Sequence, residues 1–136
     1  MKKKNGFTLV EILAAIVILS VIIAILVPVI GNIIDKVKIA TLRNNAKALL
    51  EAGNIYYAKN MEEIEEPVEF KIFNGVQTGY DKLEFTGKVH TAYLMLLPDN
   101  RKAICVDNEK YSATKSVDEE DITIEEGICT GEWDDV

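Results

Sequence analysis

A single carboxylate adjoins the longest apolar stretch of the chain, and it is the first candidate for chemistry. Glu11 directly precedes nineteen residues, Ile12–Ile30, that carry no charge and only one polar side chain, Ser20. A carboxylate in hydrocarbon costs a few kcal/mol, so an ionisable residue in this setting is a candidate functional group. The alternative is that Glu11 lies at a lipid headgroup boundary and reaches water, with no function of its own.

The second candidate is the junction between Gly6 and Phe7. Met1–Gly6 contains three lysines, whereas the apolar sequence starts abruptly at Phe7. Such a change is unusual for an ordinary membrane anchor.

The rest of the chain offers little that could catalyse a reaction. His90 is the only histidine and its neighbour Thr91 does not make a triad, so we interpret it as a strand-surface residue. The acidic clusters Asp118–Asp121, Glu125-Glu126 and Glu132–Asp135 could supply oxygen ligands to calcium, but they lack the spacing of a calcium loop and favour a solvated surface. We therefore predict no enzyme activity, no cofactor and no metal site.

Charge is distributed very unevenly along the 136 residues. The net charge is −7, made up of +3 in Met1–Gly6, +2 in Phe7–Asn60 and −12 in Met61–Val136. An acidic domain does not suit the phosphates of nucleic acid, so no nucleic-acid partner is expected.

The apolar stretch predicts a helix that spans a membrane. Nineteen residues at about 1.5 Å each extend roughly 28 Å, close to the hydrocarbon thickness of a bilayer. A buried core helix is the alternative. A secretory signal peptide is not favoured, because the run is too long and Val27–Ile30 contains no small-residue cleavage site. Basic residues flank the span on both sides, so the positive-inside count does not decide its orientation.

A second, amphipathic half of the helix follows the span. Apolar residues recur at intervals of three and four, which favours a face that packs on a sheet over a short coiled coil. These residues are Ile39, Leu42, Ala46, Leu49, Gly53 and Tyr56. Pro28 removes a backbone donor inside the helical pattern, so we predict a bend or a melted turn between Leu26 and Gly31.

Alternating apolar and polar residues after Met61 predict a small antiparallel sheet. A turn at Asn74-Gly75 ends the first predicted strand, and the turn Pro98–Asn100 joins the two clearest strands as a hairpin. The predicted strands are Val68–Ile72, Leu83–Phe85, Val89–Leu97, Lys102–Val106, Tyr111–Ala113, Ile122–Ile124 and Ile128–Thr130.

The first thirty residues resemble a known leader. The sequence Lys-Lys-Lys-Asn-Gly-Phe-Thr-Leu-Val-Glu, followed by about twenty apolar residues, is similar to the class III leader of type IV prepilins and pseudopilins. The resemblance implies that a prepilin peptidase cuts between Gly6 and Phe7 on the cytoplasmic side and methylates the new amine of Phe7. It also implies that the acidic domain lies outside the cell.

The resemblance assigns further roles. Glu11 would meet the Phe7 amine of a neighbouring subunit and set the register of a filament, and Pro28 would allow the helix to unwind locally during assembly. Cys105 and Cys129 would form the disulfide that bounds a C-terminal loop in many pilins. Two separate buried thiols are the alternative.

We therefore predict an α+β fold, in which a long N-terminal helix packs on a small antiparallel sheet in the lollipop layout of a pilin. The predicted segments are a cleaved leader (1–6), a spanning and filament-core helix (7–30), an amphipathic half (31–60) and a globular sheet domain (61–136). The predicted function is that of a type IV pilus subunit. The alternatives are a pseudopilin of a secretion or DNA-uptake machine and a membrane-anchored binding domain that never polymerises.

The expected partners and location follow from that function. The partners are the prepilin peptidase, further copies in a helical homopolymer, minor pilins, the inner assembly machinery and, before assembly, the lipid bilayer. The precursor would be a single-pass cytoplasmic-membrane protein, and the assembled subunit would lie on the cell surface. A basic collar formed by Lys36, Lys38, Arg43 and Lys47 would face the acidic domain of a neighbour.

Overall fold

The structure is a computed structural model that describes residues 6–78 and 82–130. The chain divides into two compact units, Met1–Val37 and Lys38–Val136. One long helix is followed by six strands, which confirms the predicted α+β class. The elements are α1 (Leu9–Asn60), β1 (Val68–Phe73), β2 (Val76–Thr78), β3 (Thr91–Leu96), β4 (Lys102–Asp107), β5 (Tyr111–Lys115) and β6 (Thr123–Glu126).

The first unit buries almost none of its apolar surface. From Gly6 to Val37 every residue except the half-buried Asp35 is exposed, although most of the side chains are aliphatic. This part of α1 is long and apolar enough to cross a bilayer. A helix that is apolar on all sides needs an apolar surrounding, which this unit does not supply for itself.

The helix is continuous through Pro28, so the melted turn, one of the two distortions predicted between Leu26 and Gly31, is wrong for this structure, and the bend stays a prediction. A proline removes only its own backbone donor, and the bonds of the neighbouring turns hold the helix around it.

In the second unit, α1 packs on the sheet through the predicted stripe. Leu42, Ala46, Leu49 and Gly53 are buried, together with Ala52, whereas the stripe's ends at Ile39 and Tyr56 are half-buried. The helix residues share one core with side chains from four strands. These are Phe70, Ile72, Ala92, Leu94, Ile104, Val106 and Ala113.

Gly53 allows the closest approach between helix and sheet. A Cβ atom at this position would lie 2.9 Å from Cδ of Lys102 and 3.1 Å from Cδ2 of the buried Leu94. Glycine in the apolar stripe is therefore explained by packing, and not by a helix end.

The six strands form one antiparallel sheet in the order β2-β1-β3-β4-β5-β6. Asn74 and Gly75 have φ of 48° and 76°, as expected for a two-residue hairpin turn with positive φ at both positions. All six residues of β3 are buried, because the strand lies inside the sheet and both of its faces are covered. The second face carries a smaller cluster of Met95, Ala103 and Val117.

Two of the predicted strands are wrong. Leu83–Phe85 and Ile128–Thr130 lie outside the strands of the sheet. At Leu83 a side chain replaces a strand partner: the Gln77 amide donates to the Leu83 carbonyl and accepts from the Leu83 N–H, both at 2.9 Å. Leu83 is thus buried and hydrogen-bonded as a strand residue would be, but its partner is a side chain and not a neighbouring strand.

The Gln77 contact predicts a measurable stability effect. Gln77→Ala removes both hydrogen bonds to Leu83, and we expect the free energy of unfolding to fall by about 1–2 kcal/mol. The measurement is urea unfolding of the full chain in detergent, followed by near-ultraviolet circular dichroism. Thr86→Ala is the control, because Thr86 is exposed and lies outside the strands, and it should change stability by less than about 0.5 kcal/mol. Equal effects of the two substitutions would contradict the role of the amide.

Candidate functional site

The junction between Gly6 and Phe7 precedes the helix and is open to solvent. Gly6, Phe7 and Thr8 lie before the first helical residue, and the Phe7 side chain is 84% exposed. Apart from its two chain neighbours, no described residue would have an atom within 4 Å of a Cβ added at Gly6. The junction is therefore accessible to an enzyme that binds an extended backbone.

Glu11 forms a capping box with Thr8. The Thr8 backbone N–H donates to Oε2 of Glu11, and the Glu11 backbone N–H donates to Oγ1 of Thr8, each at 3.2 Å. The two side chains thus satisfy two donors that a helix start leaves free, and the carboxylate lies at the positive end of the helix dipole. Sequence analysis assigned Glu11 no local role, although the Thr-x-x-Glu pattern before an apolar run is the signal for it.

The same carboxylate lies at a surface groove of the helix. The other lining side chains are mainly apolar: Phe7, Ile12, Ala15, Ile16 and Leu19. Because Glu11 is exposed and the capping bond uses Oε2, the carboxylate can still accept a hydrogen bond from outside the chain.

Comparison with known proteins identifies this N-terminal segment. Residues 1–27 match the family model described as the prokaryotic N-terminal methylation motif. The chain carries the class III leader of type IV prepilins. The leader implies processing by a prepilin peptidase and assembly with pilin machinery, and together with the apolar helix it points to membrane anchoring. No curated protein and no solved structure matches the chain significantly.

The sequence-predicted residues occupy separate places. Gly6, Phe7 and Glu11 lie together at the start of α1, whereas Pro28 lies inside the helix, well beyond the groove. Their roles in processing and assembly stay predictions. The head lysines Lys2 to Lys4 and the acidic cluster Glu132–Asp135 lie outside the described residues.

The cysteines form the predicted disulfide. Cys105 of β4 is bonded to Cys129, which follows β6, and the two Cα atoms are 5.9 Å apart. The bridge attaches the segment after β6 to an inner strand of the sheet, so the alternative of two separate thiols is wrong for this structure.

A buried carboxylate beside the disulfide was missed by sequence analysis. Asp107, at the end of β4, is 1% exposed, and its Oδ2 accepts the Cys129 backbone N–H at 2.8 Å. Its Oδ1 lies 3.0 Å from Nδ1 of His90 and accepts the Glu109 N–H at 3.3 Å. A buried charge is tolerated when it is hydrogen-bonded in this way. The sequence holds no signal for its burial, because two of its partners, His90 and Cys129, come from segments far along the chain.

The carboxylate also affects its surroundings. Burial, together with the negative charge of Asp107, raises the pKa of the Tyr93 hydroxyl above its usual value. Tyr93 pairs with Cys105 across the β3–β4 ladder, so the disulfide, the carboxylate and this tyrosine share one corner of the sheet.

The corner predicts a stability difference between two aspartates. Asp107→Ala leaves the buried Cys129 N–H without an acceptor, and we expect the free energy of unfolding to fall by about 3 kcal/mol or more. Asp118→Ala is the control, because Asp118 is mostly exposed and water screens its ion pair with Arg101, so its removal should change stability much less than Asp107→Ala. Denaturant unfolding of the full, oxidised chain in detergent measures both. A similar small loss for the two variants would contradict the role of Asp107.

Proposed function

We propose that the chain is the structural subunit of a type IV pilus. It is made as a membrane prepilin, cut after Gly6, methylated at Phe7 and polymerised through α1 into a surface filament for adhesion, motility or uptake. The single observation that carries the proposal is the leader motif on a helix whose apolar side chains stay exposed in the free chain.

The exposed apolar surface supports assembly energetically. Exposed aliphatic side chains cover the helix from Leu9 to Val37. Each contributes roughly 1.5–3 kcal/mol when it is fully buried. In the bilayer lipid covers this surface, and in a filament the helices of other copies replace the lipid. The association then depends on close packing and on buried polar contacts as much as on apolar area.

Glu11 supports a defined stagger between copies. Cleavage after Gly6 removes three lysines and leaves one α-ammonium group at Phe7. Two opposite charges about 4 Å apart attract by about 4 kcal/mol at an effective dielectric of 20, which offsets part of their desolvation cost. Glu11 of one copy therefore selects the position at which the Phe7 amine of the next copy is adjacent to it. The capping bond and the intermolecular pair use one carboxylate, so their effects must be separated by experiment.

Two substitutions at Glu11 separate them. Glu11→Gln keeps an acceptor for the Thr8 N–H and removes the charge, whereas Glu11→Ala removes both. If the charge sets the register, both variants should still be cut and methylated. The amount of sheared filament should fall at least about tenfold in both. The measurement is the intact mass and the amount of the chain in the sheared surface fraction and in the membrane fraction. Normal filaments from Glu11→Gln would contradict a role for the charge and would support only the capping role of the side chain.

The same fractions test the alternatives. A chain that starts at methylated Phe7 in the sheared fraction supports the pilus subunit. The same processed chain confined to the membrane would favour a pseudopilin. An uncut chain in cells that contain the peptidase would contradict both and would favour a membrane-anchored binding domain that does not polymerise.

The basic collar supports a second contact between copies. Lys36, Lys38, Arg43 and Lys47 are exposed, and so are the four glutamates between Met61 and Pro67, which belong to the acidic part of the chain. In a filament the collar of one copy would face the acidic domain of another and lower the repulsion between domains of charge −12.

Charge reversal tests the collar. Arg43→Glu should reduce filament yield at low salt and recover it at about 1 M salt, where the screening length falls to about 3 Å. Lys88→Glu makes the same charge change at an exposed position outside the collar and should behave like the unaltered chain. An equal salt response of the two variants would discard the collar contact.

A further inference from the structure

The segment that carries Cys129 has few attachments to the sheet. It follows β6, which lies at one edge of the six-stranded sheet. Within the described part of this segment, 127–130, the Ile128 side chain is 60% exposed and does not anchor the chain in the core. The Gly127 N–H donates to the Lys110 carbonyl at 3.0 Å, which holds the start of the segment. The position of Cys129 therefore depends on the contacts of Cys129 itself.

Asp107 makes such a contact without involving a sulfur atom. Its buried Oδ2 accepts the Cys129 backbone N–H at 2.8 Å. Its Oδ1 accepts the Glu109 N–H at 3.3 Å and lies 3.0 Å from Nδ1 of His90, so the carboxylate is itself held from a second side. Because the contact to Cys129 uses a backbone donor, it does not require the disulfide to be formed.

The carboxylate and the first cysteine lie on the same face of one strand. Cys105 and Asp107 are two residues apart in β4, so their side chains leave the strand on the same side. The Cα atoms of Cys105 and Cys129 are 5.9 Å apart, within the roughly 4.4–6.8 Å that a disulfide requires. A hydrogen bond that places Cys129 over this face therefore brings the two thiols within bonding reach before they are oxidised.

We propose that Asp107 is a positioning residue for the Cys105–Cys129 disulfide, because it orders Cys129 in the reduced domain and so raises the effective concentration of one thiol at the other. Closing the bridge costs the conformational entropy of the segment that must be ordered. Where the Asp107 contact has already ordered that segment, the cost no longer opposes the oxidation. Two attachments that order the same segment strengthen each other. The proposal concerns the sheet domain and is independent of filament assembly.

The reaction is a two-electron oxidation by an external disulfide such as oxidised glutathione. The thiolate of Cys105, the more exposed of the two cysteines, attacks oxidised glutathione and releases one glutathione thiol. The thiolate of Cys129 then attacks the Cys105 sulfur and releases the second. The two cysteines lose two electrons and two protons, which oxidised glutathione gains as two thiols. Asp107 takes no part in these bond changes and acts by keeping Cys129 within reach of Cys105.

The test is the equilibrium of the full chain in detergent with reduced and oxidised glutathione, measured by mass after the free thiols are alkylated. Asp107→Ala should shift the equilibrium about tenfold towards the thiols, the change that one hydrogen bond of ordinary strength produces. Asp107→Asn keeps an acceptor oxygen for the Cys129 N–H and should restore most of the shift.

Gln77→Ala separates positioning from a general loss of stability. It removes hydrogen bonds at β2, which lies at the opposite edge of the sheet from β6. The folded variant should therefore have the glutathione equilibrium of the unaltered chain. Near-ultraviolet circular dichroism shows whether each reduced variant is folded. Equal equilibria for folded Asp107→Ala and Gln77→Ala would overturn the proposal.

A measurement on the unaltered chain decides the case in which reduced Asp107→Ala unfolds. After reduction of the disulfide, the Cys129 N–H should be protected from exchange with deuterated water at least about tenfold more than the N–H of the exposed Thr130, because Asp107 still holds it. Equal protection of these two amides in the reduced chain would overturn the proposal as well.

Discussion

The apolar surface of the N-terminal helix is the constraint on which the rest of the molecule depends. Among the described residues nothing covers the helix between Gly6 and Val37, so this surface needs an apolar surrounding such as lipid. The sheet domain, Lys38–Val136, therefore has to fold without help from that half of the helix. It does so by using the other half, Lys38–Asn60, as the layer that covers its sheet.

The sheet domain meets this requirement with a small core and several specific polar contacts. Its two central strands, β3 and β4, are almost entirely buried, and the disulfide holds the segment after β6 against β4. In the chain-entropy description, a disulfide that closes a loop of this size adds roughly 3 kcal/mol to the free energy of unfolding. Asp107 adds a second attachment at the same place, because it holds the Cys129 backbone beside the bridge. The covalent and the hydrogen-bonded contacts thus stabilise one corner together.

Much of this architecture is readable from local pattern. The long apolar run, the stripe from Leu42 to Gly53 and the Asn74-Gly75 turn are set by neighbouring residues, and the structure confirms each of them. What sequence analysis missed depends on side-chain contacts that have no periodic pattern. The Gln77 amide replaces a strand partner for Leu83 six residues on, and Asp107 binds His90 and Cys129 from segments far along the chain. The capping box of Thr8 and Glu11 is different, since its pattern was present but was read only as a charge in an apolar run.

Glu11 thus has one observed role, as a cap at the start of the helix, and one proposed role, in the assembly of the filament. The sequence carries three lysines ahead of Glu11, whose carboxylate caps the helix. If the chain is cut after Gly6 as proposed, one α-ammonium and one carboxylate remain at the start of the helix, and their charges cancel. The cap keeps the carboxylate at the helix end, and a fixed carboxylate loses little conformational entropy when it meets the amine of another copy. In the proposed filament, the local contact that stabilises the single helix would also hold the Glu11 charge in place for the contact between helices.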